Sequence, residues 1–211
     1  MIRRLALCCA FWPATLAAHP HIFVDTGLKL EVDAAGILTA VEVTWAYDEF
    51  YSLLIFEDMG LDPEMDGTLT EAELERLRGF DLKWSEGFEG DLYLSRGEAP
   101  ISLGPPEGLS TEVKEGVITT RHRRLVSPTA PVAAQGVTLR AYDPSYYTAY
   151  EINGGVEVSG NCIASLTPPD LDAAYTQVEE LLYAIPADQA NDLFPEVGRA
   201  FATTVSLDCG G

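Results

Sequence analysis

Three nitrogen donors crowd together if this chain is cut after Ala18: the new α-amine of His19, its imidazole, and the imidazole of His21 beyond Pro20. Amines and neutral imidazoles are good ligands for divalent transition metals. The chain holds one other histidine, His122, which could complete such a site. It is flanked by Arg121, Arg123 and Arg124, whose charge opposes cation binding, so a solvated strand histidine is the alternative. Asp25, Asp48 and Asp143 are candidate oxygen ligands. Asp48 and Asp143 each stand at the end of a strand-like run beside aromatics, in Trp45–Tyr51 and Tyr142–Tyr147. Aromatic core plus turn chemistry is the plainer reading of both blocks, Asp143-Pro144 being a turn signal.

A second constellation runs from Asp62 to Glu73. It fits the twelve-residue EF-hand loop, with oxygens from Asp62, Glu64, Asp66, Thr68, Thr70 and Glu73 and a turn at Gly67. Calcium is the expected ion. The departure is Glu64, one methylene longer than the usual Asp or Asn. No second loop is present to pair with it. The alternative is a helix–turn–helix whose Asp66-Gly67 turn is merely acidic.

The segments that place these residues begin with a basic start, Arg3-Arg4, a short apolar run from Leu5 to Leu16, and Ala17-Ala18. This reads as a secretory signal peptide. A cut after Ala17 stays open, because Leu16 is larger than the usual small residue two places before the cut. The run is too short to span a bilayer, which needs roughly 20 residues. The expected mature chain, residues 19–211, is a single domain, not embedded in a membrane. Cys162 and Cys209 survive the cut, and an even pair in an exported chain is expected to form a disulfide. A thiolate metal site would want closer Cys-x-x-Cys spacing. With a net charge of −20 over 211 residues, nucleic-acid binding is excluded as a function class. The basic run Arg121–Arg124 is expected to pair with carboxylates across a sheet, or to rim a site for an anionic ligand or a partner.

Residues 28–33 and 38–45 alternate apolar and polar side chains about the turn Asp33–Gly36, as a β-hairpin does. From Asp48 the period becomes helical, with Phe50, Leu53, Leu54 and Ile55 or Phe56 forming a stripe and Gly60 a stop. Thr70-Glu71-Ala72-Glu73 is a capping box that opens a second helix. Short strand patterns follow at 92–94, 117–120, 137–142 and 156–158. A third helix runs from Thr167 to about Leu182, with Leu171, Ala174, Val178 and Leu181-Leu182 on one face. The expected fold is α+β: an antiparallel, sandwich-like sheet body with an EF-hand-like helix–loop–helix inserted at about 48–88 and a C-terminal helix. No Gly-x-Ser-x-Gly, His-Glu-x-x-His or phosphate-binding glycine loop occurs, so no enzyme activity is expected.

The start His19-Pro20-His21-Ile22-Phe23-Val24-Asp25 and the block Trp45…Asp48-Glu49-Phe50-Tyr51-Ser52 are followed by the Asp66-Gly67 loop and by Tyr142-Asp143-Pro144-Ser145-Tyr146-Tyr147. In this order they resemble the exported bacterial family labelled domain of unknown function 1007. The resemblance covers the whole mature chain. It implies a periplasmic component of an ABC-type transport system, associated with nickel/cobalt-type metal permeases. The expected function is thus a periplasmic accessory that binds zinc, nickel, cobalt or copper and serves an inner-membrane metal permease or ABC-type transporter. Two alternatives stand beside it: a copper-dependent redox enzyme built on the N-terminal histidines, and a non-metal adaptor or scaffold of the transporter.

Overall fold

The computed structural model describes residues 20–127, 130–183 and 195–210. The first hairpin joins β1 (Ile22–Val32) to β2 (Ile37–Tyr47). Its turn is closed by Asp33, whose Oδ1 accepts from the amides of Ala35 and Ile37 at 2.9 Å. Val41, Val43, Trp45 and Tyr47 alternate inward along β2, as their period of two requires.

Two helices follow. In α1 (Glu49–Met59) Asp48 is the N-cap and Gly60 ends the helix in the left-handed conformation, φ 59°. In α2 (Glu71–Leu77) Thr70 and Glu73 make the reciprocal capping box. Of the expected stripe, Phe56 is buried and Ile55 packs against the core, but Phe50, Leu53 and Leu54 are exposed, and Ser52 is buried beside Phe56. The packing is set by Ser52, whose Oγ accepts the Ile118 amide at 3.1 Å.

The remaining strands are β3 (Leu92–Arg96), β4 (Ala99–Ile101), β5 (Glu107–Lys114), β6 (Val117–Leu125), β7 (Val132–Ala133), β8 (Val137–Ala141), β9 (Thr148–Glu151), β10 (Val156–Val158), β11 (Cys162–Thr167) and β12 (Thr204–Cys209). Helix α3 (Leu171–Tyr183) and a 3-10 turn (Gly198–Phe201) lie between the last two. One sheet has the order β10-β1-β2-β6-β5, with β9 also on β1 and β7 on β2; the other has the order β11-β12-β8-β3-β4. Val24, Leu30, Val41 and Val43 from the first share one apolar core with Leu92, Leu94, Leu139 and Val205 from the second. The fold is α+β, as expected. The purely antiparallel expectation needs correcting, because β9 and β10 both pair with β1 in parallel. Both lie more than a hundred residues along the chain from β1, so no local pattern reveals the pairing.

Cys162 and Cys209 are register partners across β11 and β12 and are joined by a disulfide, S–S 2.07 Å. Among the described residues, no helix is long and apolar enough to cross a membrane.

Candidate functional site

At the start of β1, His21 is exposed. Its amide donates to the Tyr147 carbonyl at 2.8 Å, and the two ring centroids are 4.8 Å apart. Phe23 is held from another loop: its amide donates to Asp48 Oδ2 at 2.8 Å, and its carbonyl accepts the Asp48 amide at 3.0 Å. The entry of the chain into β1 is therefore fixed by backbone bonds to two separate loops. His19 and the expected signal segment lie outside the described residues.

Two of the candidate carboxylates, Asp48 and Asp143, are occupied by backbone amides, and the third, Asp25, by a side-chain amide. Asp48 Oδ1 accepts the Tyr51 amide at 2.8 Å, so the side chain caps α1 while also tying down Phe23. Asp143 Oδ1 accepts from the Ser145 amide and hydroxyl at 2.9 Å, and its Oδ2 from the Thr148 amide at 3.0 Å. Asp25 is exposed and accepts from Asn153 Nδ2 at 2.8 Å. We expect Asp48→Ala to cost about 2 kcal/mol of unfolding free energy, at the upper end for an N-cap because a strand tie is lost with it. Asp48→Asn keeps an acceptor and should recover most of the loss. Urea titration of both variants checks this, and equal losses would contradict the capping role.

His122 does not stand with His21. The pleat of β6 turns Arg121 and Arg123 outward and His122 and Arg124 inward. Through β2, His122 is level with Leu28, seven residues along β1 from His21, or roughly 23 Å at the strand rise. It is 1% exposed, with its ring 4.6 Å from Trp45 and 5.7 Å from Trp84, and among the described residues neither ring nitrogen has a hydrogen-bond partner. Burial, aided by the Arg124 charge, lowers its pKa to about 4. The two outward arginines pair across the sheet as expected. Arg123 grips Glu31 with Nε at 2.7 Å and Nη2 at 2.6 Å, and Arg121 reaches Glu42 at 2.9 Å.

In the acidic loop, Asp62 Oδ1 accepts from the Asp66 amide at 3.0 Å, Asp62 Oδ2 from the Gly67 amide at 2.9 Å, and Asp66 Oδ1 from the Thr68 amide at 2.8 Å. Gly67 takes φ 74°, the sharp turn the pattern asks of it. Glu73 accepts from the Asp62 amide at 3.2 Å and from the Thr70 amide at 2.8 Å, and the Thr70 bonds hold its carboxyl below the usual range. Glu64 is exposed. The carboxylates organise the turn through its own amides. Among the described residues, no three His, Cys, Asp or Glu side chains are grouped so as to hold a metal ion.

The sequence reading missed a polar layer inside the molecule. Tyr47 donates to Asp81 Oδ2 at 3.0 Å and Thr120 donates to the same oxygen at 2.5 Å, while Asp81 Oδ1 is buried without a partner among the described residues. Tyr150 donates to Asp91 Oδ2 at 2.9 Å. Burial, with the Asp143 charge adding to it, raises the Asp91 carboxyl to about 7 against the pull of that hydrogen bond. Gly90-Asp91, just before a strand, was the one local signal for any of these residues, and it marks only a turn.

A family model described as a protein of unknown function (DUF1007) matches residues 4–209. The chain belongs to the DUF1007 family. No curated protein matches it. In this DUF1007 member the match takes in the histidine start, the acidic loop and the Tyr142–Tyr147 block alike.

Proposed function

We propose that this protein is an exported, periplasmic accessory that holds a divalent transition metal at its N-terminus and serves an inner-membrane permease or ABC-type transporter. The observation that carries the reading is the seat of His21. It is an exposed imidazole at the point where backbone bonds from Tyr147 and Asp48 fix the chain's entry to β1. The donors that fit are the His19 amine and imidazole and the His21 imidazole. Asp48 and Asp143 do not fit, because a metal would have to displace their amide partners. His122 does not fit either, being buried and distant along the sheet. Copper would bind such nitrogens more tightly than nickel, cobalt or zinc, so affinity alone does not name the metal. The disulfide and the basic, apolar start support an oxidising compartment outside the cytosol.

We read the Asp62–Glu73 loop as an EF-hand-like calcium brace. The left-handed Gly67 at the turn position of the pattern supports this; calcium would have to displace or share the Asp66 and Gly67 amides on Asp62. The adaptor reading keeps one observation of its own, the exposed Phe50, Leu53 and Leu54 of α1.

Native mass spectrometry of protein recovered from the periplasm, with and without chelator, tests the reading. The expected species begins at His19 and carries one transition metal, which His21→Ala removes. Calcium, where present, should survive that substitution and be lost from Asp62→Asn. A mature protein that starts elsewhere, or carries calcium alone, would leave the adaptor reading standing in place of the metal accessory.

A further inference from the structure

We propose that the outer face of the β11-β12-β8-β3-β4 sheet carries a site for a carboxylate-bearing ligand with an apolar or aromatic body, separate from the N-terminal metal grip. The face holds a cavity of about 600 Å³, within the range of small-molecule sites. Arg140 and Arg199 line it together with Tyr93, Tyr142, Ser95 and Ile101.

The register places these groups. Tyr93 and Arg140 are partners across β3 and β8, and their neighbours Leu92, Leu94, Leu139 and Ala141 point into the core. Tyr93 and Tyr142 stack with centroids 4.2 Å apart and planes 22° apart, giving a flat apolar wall. Arg140 is oriented by its Nε, which donates to Thr204 Oγ1 at 2.9 Å. Among the described residues, its two terminal nitrogens have no protein acceptor, and neither Arg140 nor Arg199 makes an ion pair. Arg199 comes to the same face because Gly198 seats its turn against the Pro144 carbonyl, Gly198 N to O 2.9 Å. Both arginines also line an adjoining cavity of about 450 Å³, so they stand between two hollows.

The chain has 33 acidic and 13 basic side chains, so a guanidinium has carboxylates in excess to choose from. Arg121, Arg123 and Arg124 each find one. Arg140 and Arg199, like Arg76 and Arg96, make no ion pair among the described residues, but these two line a shared hollow. Of the acids at its rim, Glu89 reaches toward Arg124 at 3.8 Å, and Glu98 sits on the exposed turn between β3 and β4. A guanidinium presents paired N–H donors that match a carboxylate in the plane, and the tyrosine pair would cover the rest of the ligand. The chemistry suits a free organic acid or the C-terminal carboxylate of a peptide.

Isothermal titration with phenylacetate, N-acetyl-phenylalanine and N-acetyl-phenylalanine amide tests the site. At least one acid should bind and the amide should bind at least about tenfold more weakly, the loss expected of a charge-assisted pair. Tighter binding of N-acetyl-phenylalanine than of phenylacetate would favour a chain terminus as the natural source; the reverse order would favour a free acid. Arg199→Gln, at an exposed position, should weaken the acid by a similar factor with the melting temperature unchanged, and Arg140→Gln should do the same if its fold is intact. The proposal is overturned if neither acid binds, if the amide binds as well as the acid, or if Arg199→Gln leaves the affinity unaltered. None of these readouts depends on metal, so the site and the metal reading stand or fall separately.

Discussion

Gly198→Ala is expected to unseat the C-terminal segment and to cost at least about 3 kcal/mol, the upper end for forced overpacking. A Cβ at this position would stand 1.7 Å from the Asp143 carbonyl oxygen and 3.3 Å from that of Pro144. Neither obstacle is a side chain that can rotate away. The Asp143 backbone is itself held in a turn by its carboxylate, through the Ser145 and Thr148 amides. Relief must come from moving the turn at 198–201, which breaks the 2.9 Å bond to Pro144 and the stack of Phe201 on Tyr146, whose centroids are 3.9 Å apart. Chemical denaturation of Gly198→Ala beside Ala200→Gly checks this. The second change removes a methyl two residues away and should cost no more than about 1 kcal/mol. Equal stabilities would show that the turn is not seated on Asp143. The same shift should carry Arg199 off its hollow, so carboxylate binding is expected to fall with stability.

The second large effect is a pair of opposed pH dependences. His122 titrates at about 4 in the folded protein and near 6.5 when exposed, so between those values the unfolded chain binds the extra proton. Its contribution to stability is complete above pH 6.5 and is lost as pH falls toward 4, by an amount on the order of 3 kcal/mol. Asp91 behaves in the opposite way. Its folded value is about 7 against 3.8, so the folded protein holds a proton the unfolded chain has released. Its contribution is complete below pH 3.8 and is lost as pH rises toward 7, by on the order of 4 kcal/mol. Across pH 4–6.5 the two slopes oppose each other, and the parent protein should show a flattened profile. His122→Leu removes two unpartnered buried nitrogens, and its stability should fall as pH rises through the window. Asp91→Asn should show stability that rises with pH. Urea midpoints at pH 4.5, 5.5 and 6.5 measure all three, and identical slopes in parent and variants would refute the assignment.

Several elements were legible in the residues alone because their bonds close within a few positions. The Asp33–Gly36 turn, the Asp48 cap and Gly60 stop of α1, and the Thr70–Glu73 capping box each depend on partners no more than five residues away. The α+β class followed from these elements and from the alternating strands. The Cys162–Cys209 pairing was legible for another reason: with Cys8 and Cys9 assigned to the expected signal segment, two cysteines were left to pair.

What tertiary structure alone decided is which face of each element meets the core and which distant segments meet one another. A period of two says that His122 and Arg123 point oppositely; it does not say which of them is inside, and here the histidine is. The apolar stripe of α1 ran from Phe50 to Ile55 or Phe56, and the structure buries only its Ile55–Phe56 end, beside a serine that accepts the Ile118 amide. Asp81 meets Tyr47 and Thr120 across 34 and 39 residues, and Tyr150 meets Asp91 across 59. Arg140 and Arg199 share a hollow only because β8 lies beside β12 and the Gly198 turn is seated on Pro144. Local hydrogen bonding is written in neighbouring residue types. Long-range contact depends on how the sheets stack, a property of the whole packed chain that no window of sequence contains.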